Sequence, residues 1–283
     1  MIRAALLTLC LATPGFAADK TVAVVSAHLG DFAQDLAGEG VEIYFPVAAD
    51  RDPALWRPSV QEIGEIQSAD LIVLNGADFA RWTKRTSLPR AKVVDAGRGL
   101  SDRFIVTKGS VTHSHGGDEE HSHDGIAPQI WLDFSLAEAQ ALAVAEALER
   151  RLGLDVKESA GELSAHLQEL DARGKRVLGE ADLVLGSGPG FEYFLRAYAP
   201  ASATVTDVES IEAVLSETFP SGNRQEVKVL LLSPTQTSET QRMINRVLGI
   251  QDVTFDFGSA PAAGTFVERM TANLDRIEAA LAR

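Results

Sequence analysis

Short apolar runs alternate with amphipathic stretches along this chain, twice over. That alternation restricts it to parallel strands joined by crossover helices. The first set of strand-like runs covers residues 21–26, 41–45, 71–74 and 92–94; the second covers 181–185, 203–205, 227–232 and 253–255. Between the sets, Ser135 followed by Glu138 predicts a capping box opening an Ala/Leu-rich helix that ends at Gly153. A polar helix over 156–179 then carries Leu163, Leu167, Leu170, Val177 and Leu178 on one face. The last helix spaces Phe266, Met270, Leu274, Ile277 and Leu281 in the same way. The predicted fold class is α/β, with two lobes, each a mainly parallel β-sheet flanked by helices, joined by a long connector helix. The expected divisions are a signal peptide at 1–18, an N-terminal lobe at 19–154 with a His-rich loop at 112–124, a connector at 155–179 and a C-terminal lobe at 180–283. Ligands of open α/β sheets bind beyond the carboxyl ends of the strands, so two facing lobes share one cleft.

Residues 1–18 combine Arg3, a short apolar run and the small residues Ala17 and Ala18, which is the pattern of a cleavable secretory signal. The run is too short for a membrane span of about 20 residues. Cys10, the only cysteine, lies inside it, and Leu9 before it does not suit a lipoprotein processing site. The expected mature chain is soluble, thiol-free, monomeric and periplasmic. Forty acidic against 26 basic residues give a net charge of −14. That argues against nucleic acid or an anionic membrane as partner and fits a protein that deals with cations.

Four of the six histidines, His113, His115, His121 and His123, fall within eleven residues, with Asp118, Glu119 and Glu120 between them and Gly116-Gly117 loosening the segment. Imidazole is the usual ligand of divalent transition metals, and the carboxylates add oxygen donors. Other constellations are weaker. Gly186-Ser187-Gly188-Pro189-Gly190 lacks the full dinucleotide spacing and any P-loop lysine, and reads as a tight turn. His166 reads as a surface residue of the connector. The acids at 118–120, Asp207 and Glu209 read most simply as solvated faces. No mature cysteine, G-x-S-x-G elbow or H-E-x-x-H helix supports an enzyme.

Several blocks carry a resemblance. Asp52-Pro53-Ala54-Leu55-Trp56-Arg57-Pro58 precedes a helix and then Ala69-Asp70-Leu71-Ile72-Val73-Leu74-Asn75-Gly76. Pro128-Gln129-Ile130-Trp131-Leu132-Asp133, Phe191-Glu192-Tyr193-Phe194 with Tyr198, and Phe255-Asp256-Phe257-Gly258 follow. In this order the blocks resemble the cluster A-I solute-binding family, the periplasmic zinc- and manganese-binding proteins of ABC transporters. The resemblance implies one metal held between two lobes by three His, or two His and a Glu, plus an Asp, and delivered to a membrane permease. A His- and acid-rich loop before the second block is typical of the zinc members.

This sequence departs from the pattern at the ligands. The corresponding positions are Ala54, Gln129, Gly188 and Asp256, and only Asp256 matches. One carboxylate does not make a closed zinc site, which takes about four donors. Three readings stay open. His28, beyond the first strand, joins Asp256 and the tract histidines in a rebuilt cleft site. Alternatively the cleft takes a metal chelate, with Gln129 as a neutral amide and Trp56 as a flat contact face. In the third reading the His tract alone handles metal, as a buffer or chaperone. Zn²⁺ is the expected ion, with Mn²⁺ or another divalent transition metal as alternatives.

Overall fold

A computed structural model describes residues 20–113, 121–179, 183–205, 227–232 and 251–282. The first lobe is built on β1 (Thr21–Val24), β2 (Glu42–Tyr44), β3 (Leu71–Leu74) and β4 (Val93–Asp95), in the order β2-β1-β3-β4. All neighbours are parallel, with Val22 beside Leu71 and Ile72 beside Val93. Central strands are covered on both faces, which is why they read as unbroken apolar runs rather than alternating ones. Val22, Ala23, Leu71, Ile72 and Val73 are all buried. Helices α1 (Ala27–Ala37) and α2 (Val60–Ser68) supply the crossovers. Ser59 caps α2, accepting from Glu62 N while Glu62 reaches back to Ser59 N, a complete capping box.

Strands β5 (Val106–His113) and β6 (His121–Ile126) form an antiparallel hairpin outside both sheets. The sequence reading had placed a flexible loop at 112–124. The ladder instead runs into the tract, the first arm carrying a Val-Thr pair at each end, residues that favour a pleated ribbon.

Helix α3 (Phe134–Ala147) follows, capped by Asp133 rather than by Ser135 as the sequence had suggested. The Asp133 side chain accepts from Ser135 N at 3.1 Å. The Asp133 carboxylate takes the cap two residues earlier, which puts Ser135 inside the first turn. A π-helical turn, Leu148–Leu152, continues α3 and ends at Gly153, in the left-handed conformation expected there.

Helix α4 (Lys157–Leu178) packs on α1 and α3 of one lobe. It also meets α5 (Glu192–Tyr198) and α6 (Phe266–Leu281) of the other. Leu163, Leu167, Leu170 and Leu178 are buried on it, while Val177 is only half-buried. The second lobe's sheet has the order β10-β9-β7-β8, all parallel, from β7 (Leu183–Ser187), β8 (Ala203–Val205), β9 (Val227–Leu232) and β10 (Gln251–Thr254). Among the described residues no helix is long and apolar enough to cross a membrane.

Candidate metal centre

The lobes meet where α1 begins. The first N–H groups of a helix have no partner within it, and here the other lobe supplies them. Ala27 N donates to Ser259 O at 2.8 Å and His28 N to Gly258 O at 3.0 Å. Close by, Trp131 Nε1 donates to the Phe257 carbonyl at 2.6 Å, between two buried residues. The Phe257 ring packs edge-on to Phe191 at 4.9 Å. It also covers Gly190, whose φ is +113° and where a Cβ would stand 2.6 Å from the ring. Only glycine fits both demands. The Phe257 ring and the Gln129 amide therefore both lie against Gly190.

Of the positions that carry ligands in the resembling family, Gln129, Gly188 and Asp256 lie on the segments that form this plug, and Ala54 lines the cavity beside Trp56. Ala54 is half-buried, its N–H donating to Asp52 Oδ1 at 2.9 Å. Gln129 Oε1 is buried with no hydrogen-bond partner in the structure. Gly188 is buried with φ +78°, a conformation that disfavours a side chain there. Asp256 is half-exposed; its Oδ1 accepts from Gly258 N at 2.7 Å and its Oδ2 lies 4.0 Å from Arg269 Nη1. Among the described residues no group of three or more His, Cys, Asp or Glu is placed to hold a metal ion.

His28 is fully buried at the lobe junction. Its ring stacks on Trp131 at 4.1 Å and meets Phe32 edge-on at 5.6 Å. Nδ1 is paired with Ser26 Oγ at 2.8 Å, whereas Nε2 makes no full hydrogen bond. Burial, and then the positive charge of Arg269, hold its pKa well below the ordinary value; the nearby amides of Gln140 and Asn75 oppose that only partly. The ring is thus a neutral imidazole walled by aromatics.

His113, His121 and His123 fall on the hairpin. Its register pairs His113 with His121 and Val111 with His123, so by strand alternation positions 113, 121 and 123 share one face of the ribbon. His115 lies outside the described residues. The root of the hairpin is held at the lobe junction. Ile105 N donates to Tyr193 Oη of the second lobe at 2.9 Å, and Ala127 N returns to Ile105 O.

Sequence reasoning passed over other groups here. Glu192 lies beside the Gly188–Gly190 turn, its Oε2 accepting from Gly190 N at 2.9 Å, and burial raises its pKa. Asp95, at the carboxyl end of β4, is likewise raised by burial. The only hint of Glu192 was its place inside the Phe-x-Tyr block. Trp56, expected as a flat contact, is half-buried, stands edge-on to Trp82 at 6.0 Å and lines a cavity of about 490 Å³ that reaches Ala54.

Comparison with known proteins agrees with this architecture. A metal ABC transporter substrate-binding lipoprotein of Streptococcus cristatus is 23% identical over 204 residues, 68% of this chain and 63% of that protein, so the match spans under two thirds of the relative. A manganese ABC transporter substrate-binding lipoprotein of Streptococcus mitis is 23% identical over 76% of this chain and 69% of that protein. Among solved structures, the metal-dependent lipoprotein YcdH of Bacillus subtilis superposes with a TM-score of 0.71 at 18% identity, covering 93% of this chain and 100% of that one. The solute-binding protein FpvC of Pseudomonas aeruginosa, solved with Mn²⁺, gives 0.71 at 19% identity over 93% and 98% of the two chains. At such identities the structural likeness speaks for the fold alone. The profile of the periplasmic zinc-uptake complex component A matches residues 22–280. The chain therefore belongs to that family of metal ABC transporter substrate-binding proteins, which are binding proteins and not enzymes.

Proposed function

We propose that this chain is the exported substrate-binding component of a metal ABC transporter. Its cargo is a divalent transition metal, zinc first, with manganese or another such ion second. Residues 1–18 direct export to the periplasm and are removed, and the mature chain acts as a monomer. Residues 19–154 and 180–283 work as two lobes on the connector at 155–179. The metal is captured at the lobe junction, the lobes close slightly about the stiff helix, and both dock on the permease.

The observation that carries this reading is the hairpin. Positions 113, 121 and 123 share one face of a ribbon rooted at the lobe junction, and His115 belongs to the same tract. The positions where the family pattern keeps its ligands retain one anionic donor, Asp256. The tract thus serves as principal donor, Asp256 as the acidic ligand, and His28 as a reserve imidazole whose ring is already neutral. Metal affinity falls as pH drops through the histidine range, because a protonated imidazole cannot ligate.

Calorimetry with Zn²⁺ and Mn²⁺ at neutral pH tests the reading, on the whole chain and on a chain lacking residues 113–123. One saturable site, lost with the tract, is expected. Absence of any saturable site for either ion in the whole chain would overturn metal transport. A second reading, a periplasmic metal buffer or chaperone, rests on the same tract, since a hairpin can bind without closing a cleft. It wins if the tract alone binds metal while the permease's ATPase fails to respond to the loaded protein.

A further inference from the structure

The cavity between Trp56 and Trp82 is lined by a kind of charge that a metal site does not need. Arg57, Arg81 and Arg85 line it and no carboxylate does. All of them are exposed, and among the described residues none makes a hydrogen bond or ion pair. This is unusual placement in a chain of net charge −14. Arg81 and Arg85 come from a stretch, residues 81–92, that contains Arg81, Lys84, Arg85, Arg90 and Lys92 and no acid. Asp50, Asp52 and Glu62 lie in the neighbouring groove, on the far side of Trp56 and Arg57. Trp82 Nε1 is buried with no acceptor in the structure.

From this we infer that the cavity is a binding site for a planar aromatic carboxylate, taken either free or as the chelate of a divalent metal. Guanidinium groups present planar, bidentate donors to carboxylates and are weakly hydrated, so they bind such anions better than a point charge does. Two indoles set edge to face provide a flat wall and an edge for a ring to lie against. At about 490 Å³ the cavity is of small-molecule size rather than the shallow footprint of a protein partner. It also extends to Ala54, where the family pattern has a histidine, so the missing imidazole leaves room for a ligand that brings its own donors to the metal. The chelate half of the inference rests on the metal-cargo reading; the anion half does not.

The test is tryptophan fluorescence and calorimetry on the full chain with pyridine-2,6-dicarboxylate, its equimolar zinc complex, and Zn²⁺ alone. Saturable, salt-sensitive binding of the dicarboxylate is expected, whether free or zinc-bound. The combined R57Q, R81Q and R85Q chain should weaken it by about ten-fold or more. Trp56→Phe should retain it better than Trp56→Ala. Those arginines are exposed, and unchanged circular dichroism shows that the variant still folds. Zn²⁺ alone should bind this variant as it binds the parent chain. No saturable dicarboxylate binding, or binding untouched by the arginine changes, overturns the inference. So does a variant that keeps dicarboxylate binding but no longer stimulates the permease, since the patch is then a docking face. Loss of Zn²⁺ binding by the parent chain with dicarboxylate binding intact would instead sink the metal-cargo reading.

Discussion

Trp131 Nε1 donates to the carbonyl of Phe257 at 2.6 Å, tying the last turn before α3 to the loop after β10. These residues stand 126 positions apart and both are buried, so the bond is a clasp between the lobes. It sits where the family pattern puts its metal ligands, with the Phe257 ring against Gly190 and beside the Gln129 amide. Opening the junction for a ligand must therefore break or bend this contact.

Trp131→Phe removes the donor and leaves a buried carbonyl unpaired. Such a group costs about 1–3 kcal/mol, so the urea midpoint should fall by the equivalent amount. Because the lost bond spans the lobes, hydrogen exchange at Ala27 and His28 should quicken too, their N–H groups being held by the same loop. An unchanged midpoint and exchange pattern would remove the clasp from the account.

His28 makes stability depend on pH with a definite sign. Its folded pKa lies well below the ordinary 6.5 because the ring is buried, with Arg269 adding to the effect. The unfolded chain takes up a proton near 6.5 and the folded chain does not, so this stabilisation is full above that pH and is lost progressively as pH falls below it. Ser26, Asn75 and Gln140 surround the ring, and none of them titrates in this range. Chemical denaturation between pH 7 and 5 should show His28→Phe with a flatter pH profile than the parent chain. Parallel profiles would refute the assignment.

Asp35 works in the opposite direction. Burial, then the charges of Asp31 and Glu268, raise its pKa from 3.8 to about 6, with His166 opposing. The folded state holds this proton more tightly than the unfolded state does, so stability falls as pH rises from about 4 to about 6. Asp35→Asn should stabilise the chain at pH 7 and do nothing at pH 4. Only the carboxyl is partly desolvated by its neighbours while the residue as a whole is exposed, so solvent screening limits the gain to about 1 kcal/mol or less. Thermal melts at both pH values check it; a stabilisation of equal size at each would mean that charge is not the cause.

The pH dependence of zinc affinity counts the imidazoles. Well below the histidine pKa, each ligating histidine contributes about ten-fold loss in affinity per pH unit. If the tract supplies the donors, the slope of log Kd against pH should approach the number of histidines bound, and His121→Ala should lower it by about one. A slope near zero, with full affinity kept by His121→Ala, would remove the tract from the site.

How far the sequence carried can be seen residue by residue. The strand at 71–74 was legible to the residue, and 227–232 likewise, since a short, mostly apolar run of Val, Ile and Leu with no helical spacing has few other uses. The start of α3 was misplaced by two residues, because Asp133 and Ser135 are both good caps and local pattern alone cannot rank them. The hairpin was missed because a His- and acid-rich composition reads as a loop, while its pairing depends on residues from the opposite arm. His28 looked like a lone residue beyond a strand; its burial comes from Trp131, Phe32 and Phe266, of which only Phe32 is a chain neighbour.

By itself, then, the sequence determined the alternation of parallel strands and helices, the long connector, and the absence of the family's usual ligands at positions 54, 129 and 188. These are matters of local spacing and residue identity. Only the tertiary structure decided that a phenylalanine plugs the junction, that a chain of net acidic charge sets three exposed arginines around two indoles, and that three tract positions share one ribbon face. Those outcomes arise from contacts between segments far apart in the chain, whose energies depend on a shared burial that no local pattern encodes.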